Sequence, residues 1–176
     1  MDAYDRLNAM LQLGDATPFV DRIREIIETI NLFEDFDSED IEIFAGYMRC
    51  YRAEPGTEII AEGETGDFML LILNGTIEIV RKDSNGYPQR VDITGPGKTL
   101  GEMSLIDGQP RFASCMALEI VEFATLNREA LSRLITDHPK IGVKLMMELL
   151  VLFNQRLRSI SARLMDCLEA QRLRIR

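Results

Sequence analysis

Between Arg49 and Leu126 the chain leaves helical spacing for short β-rich runs separated by glycine turns, and this stretch restricts its fold more than any other. The runs are Glu58 to Ala61, Phe68 to Leu73, Thr76 to Arg81, Arg90 to Thr94, Ala113 to Leu118 and Ile120 to Leu126. Thr76 to Arg81 alternates apolar and polar residues, as a strand with one wet face should. Asn74-Gly75 and Asn85-Gly86 each read as a hairpin tip, because Asn and Gly tolerate the positive φ of a type I′ turn. Pro55-Gly56 fits the central pair of a type II turn. Many short strands at close, turn-marked spacing imply a sandwich, roll or barrel.

Helices flank this stretch. Thr17-Pro18 reads as a cap with proline at the first helical position, opening a helix to Ile30 with Phe19, Ile23, Ile26, Ile27 and Ile30 inward. The opening segment, Met1 to Leu13, reads as a further short helix. Another starts at Asp37 or Ser38 with Ile41, Phe44, Ala45 and Met48 on its inner face. Helix returns at Asn127, with Ala130, Leu131, Leu134 and Ile135 inward. Pro139 then opens a long helix in which Val143, Met146, Leu150, Phe153, Leu157, Ile160, Leu164 and Cys167 recur at alternating spacings of 3 and 4. That heptad seam predicts a homodimer through residues 143–167. A second stripe, Leu145, Leu149 and Leu152, is expected to pack on the body of the same chain. The expected organisation is a helical extension over 1–31, a roll with flanking short helices over 32–138, and a long C-terminal helix over 139–176.

No apolar run approaches the ~20 residues that span a bilayer, and the acidic N-terminus is unlike a secretory signal. A cytoplasmic protein with no membrane contact is expected. Cys50, Cys115 and Cys167 are isolated and read as buried, reduced thiols. His138, in Asp137-His138-Pro139, reads as a junction residue; alone it builds neither a metal site nor a triad. With no nucleophile–base pair, no metal-ligand cluster and no Walker-type loop, neither an enzyme nor a metal protein is expected. The net charge is −9, but residues 139–176 hold eight Lys or Arg against three Asp or Glu, leaving −14 on the first 138. So acidic a body disfavours nonspecific nucleic-acid binding. The basic helix either meets an acidic partner or is a solvated face.

The chemistry is concentrated between Leu100 and Ser114. Gly101 before a short helical turn leaves backbone N–H groups open to an anion. Arg111, after the Asp107-Gly108 turn, can hold a phosphate through two parallel charge-assisted bonds. Glu102 is acceptor-only when ionised; it can take a sugar hydroxyl or hold Arg111.

This segment resembles the phosphate-binding cassette of cyclic-nucleotide-binding domains, a family that includes catabolite activators, protein kinase A regulatory subunits and nucleotide-gated channels. Gly101, Glu102, Met103, Ser104 and Leu105 fill its Gly-Glu-apolar-small-Leu half; Arg111, Ala113 and Ser114 fill its Arg-small-Ala-Ser/Thr half. The likeness runs from about Leu32 to Arg163 and takes in Gly56, Gly63, Gly75 and Gly95-Pro96-Gly97. It implies an α+β fold built on a double-stranded β-helix (a β-roll of jelly-roll type), with N-terminal helices and a long C-terminal dimerisation helix.

The resemblance also implies a ligand, cAMP or cGMP, and roles for the cassette. Backbone groups of Gly101, Ser104 and Phe112 line the phosphate, Arg111 pairs with its exocyclic oxygens, and Glu102 takes the ribose 2′-hydroxyl. Phe112 departs from the family's small residue, so its ring either stacks on the purine or fills part of the pocket. Lack of a hydroxyl there leans toward cAMP. Arg156 falls where the family caps the purine; an arginine there stacks on the base, hydrogen-bonds guanine, or is a solvated charge. Transcription-factor relatives carry a winged helix-turn-helix after the dimer helix. Leu173 and Ile175 among Arg172, Arg174 and Arg176 cannot build one, so DNA binding is not expected. A sensor acting on an unidentified effector protein is expected, against the alternative of a non-binding dimeric scaffold with Phe112 plugging the pocket.

Overall fold

The computed structural model describes residues 3–30 and 36–174, and the side chains of 3–26 and 36–170. The expected inward positions Ile27 and Ile30, the expected boundary at residue 32, and the tail side chains from Arg172 to Arg176 lie outside the described residues.

Nine strands form two antiparallel sheets among the described residues. One contains β1 (Leu11–Asp15), β2 (Arg49–Ala53), β9 (Val121–Asn127), β4 (Phe68–Asn74) and β7 (Thr99–Leu100), in that order. The other runs β3 (Glu58–Ile60), β8 (Ser114–Ala117), β5 (Ile77–Lys82), β6 (Pro88–Thr94). This is the β-roll read from the sequence. The continuous apolar run of β4 follows from burial on both faces. Phe68, Leu70 and Ile72 enter the roll interior with Ile59, Ile77, Val121 and Phe123. Met69, Leu71 and Leu73 face a second core shared with the helices.

The helices covering that second core are α2 (Val20–Ile30), α3 (Ser38–Gly46), α5 (Arg128–Asp137) and the start of α6 (Pro139–Arg174). Asp37 caps α3 in a reciprocal box with Asp40, and Asn127 caps α5 by accepting from the Ala130 N–H at 2.8 Å. Such caps satisfy N–H groups the helix itself cannot. His138 closes α5, its ring meeting Tyr47 edge-on at 6.0 Å between centroids. Leu145 and Leu149 of α6 are buried against this core, with Leu152 at its margin, as the second stripe requires.

Several expectations are corrected. Asn74-Gly75 is not a hairpin tip: β4 and β5 belong to different sheets, and the turn carries the chain between them. Gly75 is needed there because its φ is +83° and a Cβ would lie 2.3 Å from the Ile120 carbonyl oxygen. Asn85-Gly86 does join the paired strands β5 and β6. The opening segment is a shorter helix, α1 (Ala3–Asn8), followed by β1, so it is not wholly helical. Thr17–Phe19 forms a 3₁₀ turn before α2 without a side-chain cap. Ile135 is exposed on its outer side; its other side meets Gly142, where a Cβ would lie 2.9 Å from the Ile135 Cα. Cys50 and Cys115 are buried, and burial pushes both thiols up to about 12. Cys167 is exposed, contrary to the expectation of three buried thiols.

Candidate functional site

The cassette follows β7 into a short helix, α4 (Glu102–Asp107). Gly101 precedes it with φ +83°, and a Cβ there would lie 2.5 Å from Arg111 Nη1 and 2.9 Å from the Phe68 carbonyl oxygen. Glycine is thus required twice, for the left-handed backbone and for room beside the guanidinium. Gly108 ends α4, its N–H donating to the Ser104 carbonyl at 3.0 Å. The chain returns through Arg111, whose N–H donates to the Glu64 carbonyl at 2.9 Å and whose carbonyl accepts from Gly63 N–H at 2.8 Å.

Arg111 is only 3% exposed. Its Nη1 donates to the Phe68 carbonyl at 2.7 Å and to the Gly101 carbonyl at 3.0 Å. Its guanidinium carbon stands 4.3 Å from the centre of the Phe68 ring, a cation–π geometry. Nε and Nη2 are buried with no hydrogen-bond partner. Burial lowers the guanidinium's pKa, while Cys115, Asp67, Glu64 and Tyr4 oppose that shift; an arginine nonetheless stays charged. A buried cation with two idle donors is costly unless something anionic completes it.

Glu102 is 1% exposed. Its Oε1 accepts from the Thr99 hydroxyl and, at 3.1 Å, from Arg156 Nη2, while Oε2 accepts from Arg156 Nη1 at 3.1 Å. Arg156 also donates to the Thr99 carbonyl at 2.8 Å. Arg156, on α6, thereby ties the long helix to the cassette rather than standing as a solvated charge. Phe112 is 52% exposed, its ring 3.8 Å from the Arg81 guanidinium carbon. It is one of the residues that line the cavity.

Eight of the ten residues singled out from the sequence meet at one cavity of about 130 Å³; Leu105 lies in the helix-covered core and the Ser114 hydroxyl accepts from Glu62 N–H. Gly101, Glu102, Met103 and Ser104 form one side, Arg111, Phe112 and Ala113 another, and Arg156 reaches in from α6. Ile60, Ile79, Leu100 and Cys115 supply an apolar floor that sequence reasoning missed. Thr99 was missed too; its three-residue spacing from Glu102 was the available signal. Arg128 is a further omission. Its Nε and Nη2 donate to the Leu105 and Ser104 carbonyls, each at 3.0 Å, and so finish the C-terminal end of α4. A larger groove of about 410 Å³ adjoins the cavity and shares Ile79, Leu100 and Arg156 with it. Among the described residues no cluster of His, Cys, Asp and Glu could hold a metal ion, and no helix is long and apolar enough to cross a membrane.

Comparison with known proteins agrees with this arrangement. The family model of the cyclic nucleotide-binding domain matches residues 51–138. The fold is similar to a crystal structure of a cyclic nucleotide-binding domain from Methylobacillus flagellatus KT, with 39% identity and a TM-score of 0.81, covering 88% of this chain and 86% of that one. A CRP-like cAMP-activated global transcriptional regulator of Mycobacterium tuberculosis is 29% identical over 69% of this chain and 54% of its own length. A cAMP-dependent protein kinase regulatory subunit of Yarrowia lipolytica is 30% identical over 65% of this chain and 30% of its own. The chain therefore spans about half or less of the length of these curated relatives. With the matched region reaching half the sequence and the cassette assembled around one cavity, the chain belongs to the cyclic nucleotide-binding domain family.

Proposed function

We propose that this chain is a regulatory sensor that binds a cyclic nucleotide at the Arg111 cavity and passes the event on through α6, doing no catalysis of its own. One observation carries the reading: an arginine 97% removed from solvent, beside a left-handed glycine, with two guanidinium nitrogens unbonded. A cyclic phosphate supplies the missing charge and acceptors, with the backbone of Gly101, Ser104 and Phe112 as its other contacts. The ribose hydroxyl goes to Glu102. A carboxylate offers about four acceptor positions, and three are already used by Thr99 and Arg156.

The size of the cavity supports a mechanism. At about 130 Å³ it is smaller than the ~300 Å³ at which small-molecule sites begin. A nucleotide fits only if the inner cavity takes the phosphate and sugar and the adjoining groove takes the base. Arg156 stands at their junction and is bonded to Glu102, so entry of the base bears on α6 directly. Ligand thus favours one placement of α6 over another, a population shift. cAMP is the preferred ligand on two grounds: residue 112 has no hydroxyl, and the cAMP-linked relatives above share the cassette region.

Met146 and Phe153 of the α6 seam pack partly on the chain's own core, and the exposed remainder, including Val143, Leu150, Leu157, Ile160 and Leu164, pairs with a second copy to form the cytoplasmic signalling unit. Leu157→Glu would leave it monomeric by sedimentation; an unchanged dimer removes that part of the proposal.

Thermal melting with cAMP and cGMP at about 100 times a micromolar-range dissociation constant tests the sensor reading. Binding to the folded state alone stabilises by ~2.7 kcal/mol. A melting curve unmoved by either nucleotide leaves only a scaffold.

A further inference from the structure

The N-terminal helix meets the loop that encloses Arg111. The loop from Glu64 to Asp67 wraps the guanidinium so closely that a Cβ on Gly66 would lie 2.9 Å from Arg111 Nη2 and 3.1 Å from Nε. Two carboxylates, Glu64 and Asp67, flank that glycine, and both act on the Arg111 charge. Either is an obvious counter-ion, yet neither forms an ion pair with it. Each is held instead by α1. Tyr4 donates its hydroxyl to Asp67 Oδ1, and Arg6 Nε donates to Glu64 Oε2 at 3.2 Å. Arg6 also reaches Glu58 at 3.0 Å. The Ala3 methyl closes the stack, 2.9 Å from where a Gly66 Cβ would stand, and Ala3 and Leu7 anchor α1 in the roll core.

We infer that α1 is a positioning element for the binding site: Tyr4 and Arg6 hold Asp67 and Glu64 away from Arg111, keeping the guanidinium unneutralised for an anionic ligand. Without them a carboxylate of the chain itself would occupy the idle donors and compete with phosphate, since an ion pair in a buried place is little screened. The inference rests on Arg111 being the phosphate-binding group.

The test is a pair of double-mutant series read by isothermal titration with cAMP. Tyr4→Phe and Arg6→Gln are each expected to weaken affinity about tenfold. Removing the released charge is expected to restore it: Asp67→Asn in the Tyr4→Phe background, and Glu64→Gln in the Arg6→Gln background, each to within about threefold of the unaltered chain. A helix that merely supports the fold would not be rescued by neutralising a carboxylate, so failure of rescue overturns the inference, as does unchanged affinity in both single variants. A ligand-free crystal structure of the Arg6→Gln chain gives a readout independent of nucleotide. Glu64 within 4 Å of the Arg111 guanidinium supports the inference; Glu64 still apart from it overturns it. Should the unaltered chain bind no cyclic nucleotide, the functional reading falls, while the crystal structure still decides whether α1 holds the carboxylates off.

Discussion

An arginine stands at each end of α4, and the two spend their donors differently. At the C-terminal end Arg128 spends Nε and Nη2 on the Leu105 and Ser104 carbonyls, both at 3.0 Å. The Leu105 carbonyl is an orphan acceptor of the helix end, that of Ser104 also accepts from Gly108 N–H at 3.0 Å, and a cation there complements the helix dipole. At the N-terminal end Arg111 bonds through Nη1 alone and keeps Nε and Nη2 idle in a buried place. One arginine spends these donors within the chain; the other keeps two without a partner. Arg128 is exposed and Arg111 buried, so the two differ in surroundings as well as in donors spent.

The largest expected effect comes from removing Arg111. Arg111→Met should weaken cAMP binding at least tenfold by isothermal titration, because a charge-assisted contact contributes on the order of 1.5–3 kcal/mol net. Its urea midpoint should hold or rise, since an apolar side chain replaces an incompletely paired buried charge. Arg128→Met should invert this pattern. It should lose about 1 kcal/mol in urea unfolding, as the Leu105 carbonyl loses its donor while that of Ser104 keeps the Gly108 N–H, with a smaller loss of affinity than Arg111→Met. Equal profiles for the two variants would erase the distinction.

The flanking glycines sharpen the contrast. Gly101→Ala drives a Cβ to 2.5 Å from Arg111 Nη1 and 2.9 Å from a carbonyl oxygen, whereas Gly108→Ala meets only the flexible Arg128 tip at 3.2 and 3.3 Å. Both sit at positive φ and cost about 1 kcal/mol for that reason, but only Gly101→Ala should weaken nucleotide binding, by several-fold in titration. The smallest effect on affinity is expected from Arg156→Met. Its side chain is 40% exposed but that of Glu102 is 1% exposed, so the variant leaves Thr99 alone to hold a buried carboxylate and lowers stability. Affinity should change little, while the ligand-induced shift of α6, read by a spin-label pair, should shrink.

The cassette was legible in the sequence because its chemistry is local. Gly101, Glu102 and Arg111 lie within eleven residues, and the glycine must be a glycine. The Asn85-Gly86 hairpin was legible for the same reason, since the turn joins the strands it pairs. Asn74-Gly75 misled because the same dipeptide serves a corner between sheets, and that choice depends on Ile120, far along the chain. β1 was missed because its pairing with β2 spans the whole helical region between them and is interrupted by a bulge between Gln12 and Gly14. The partner of Glu102 also lay beyond sequence reading. Arg156 is 54 positions away, and only the packing of α6 on the roll brings it to the cassette.

A crystal structure of the chain grown with cAMP tests the central claim most directly. The account predicts the cyclic phosphate inside the Gly101–Arg111 cavity, with its oxygens within ~3.2 Å of Arg111 nitrogens that have no partner now. A nucleotide held elsewhere, or one in the cavity with its phosphate turned away from that guanidinium, would contradict it.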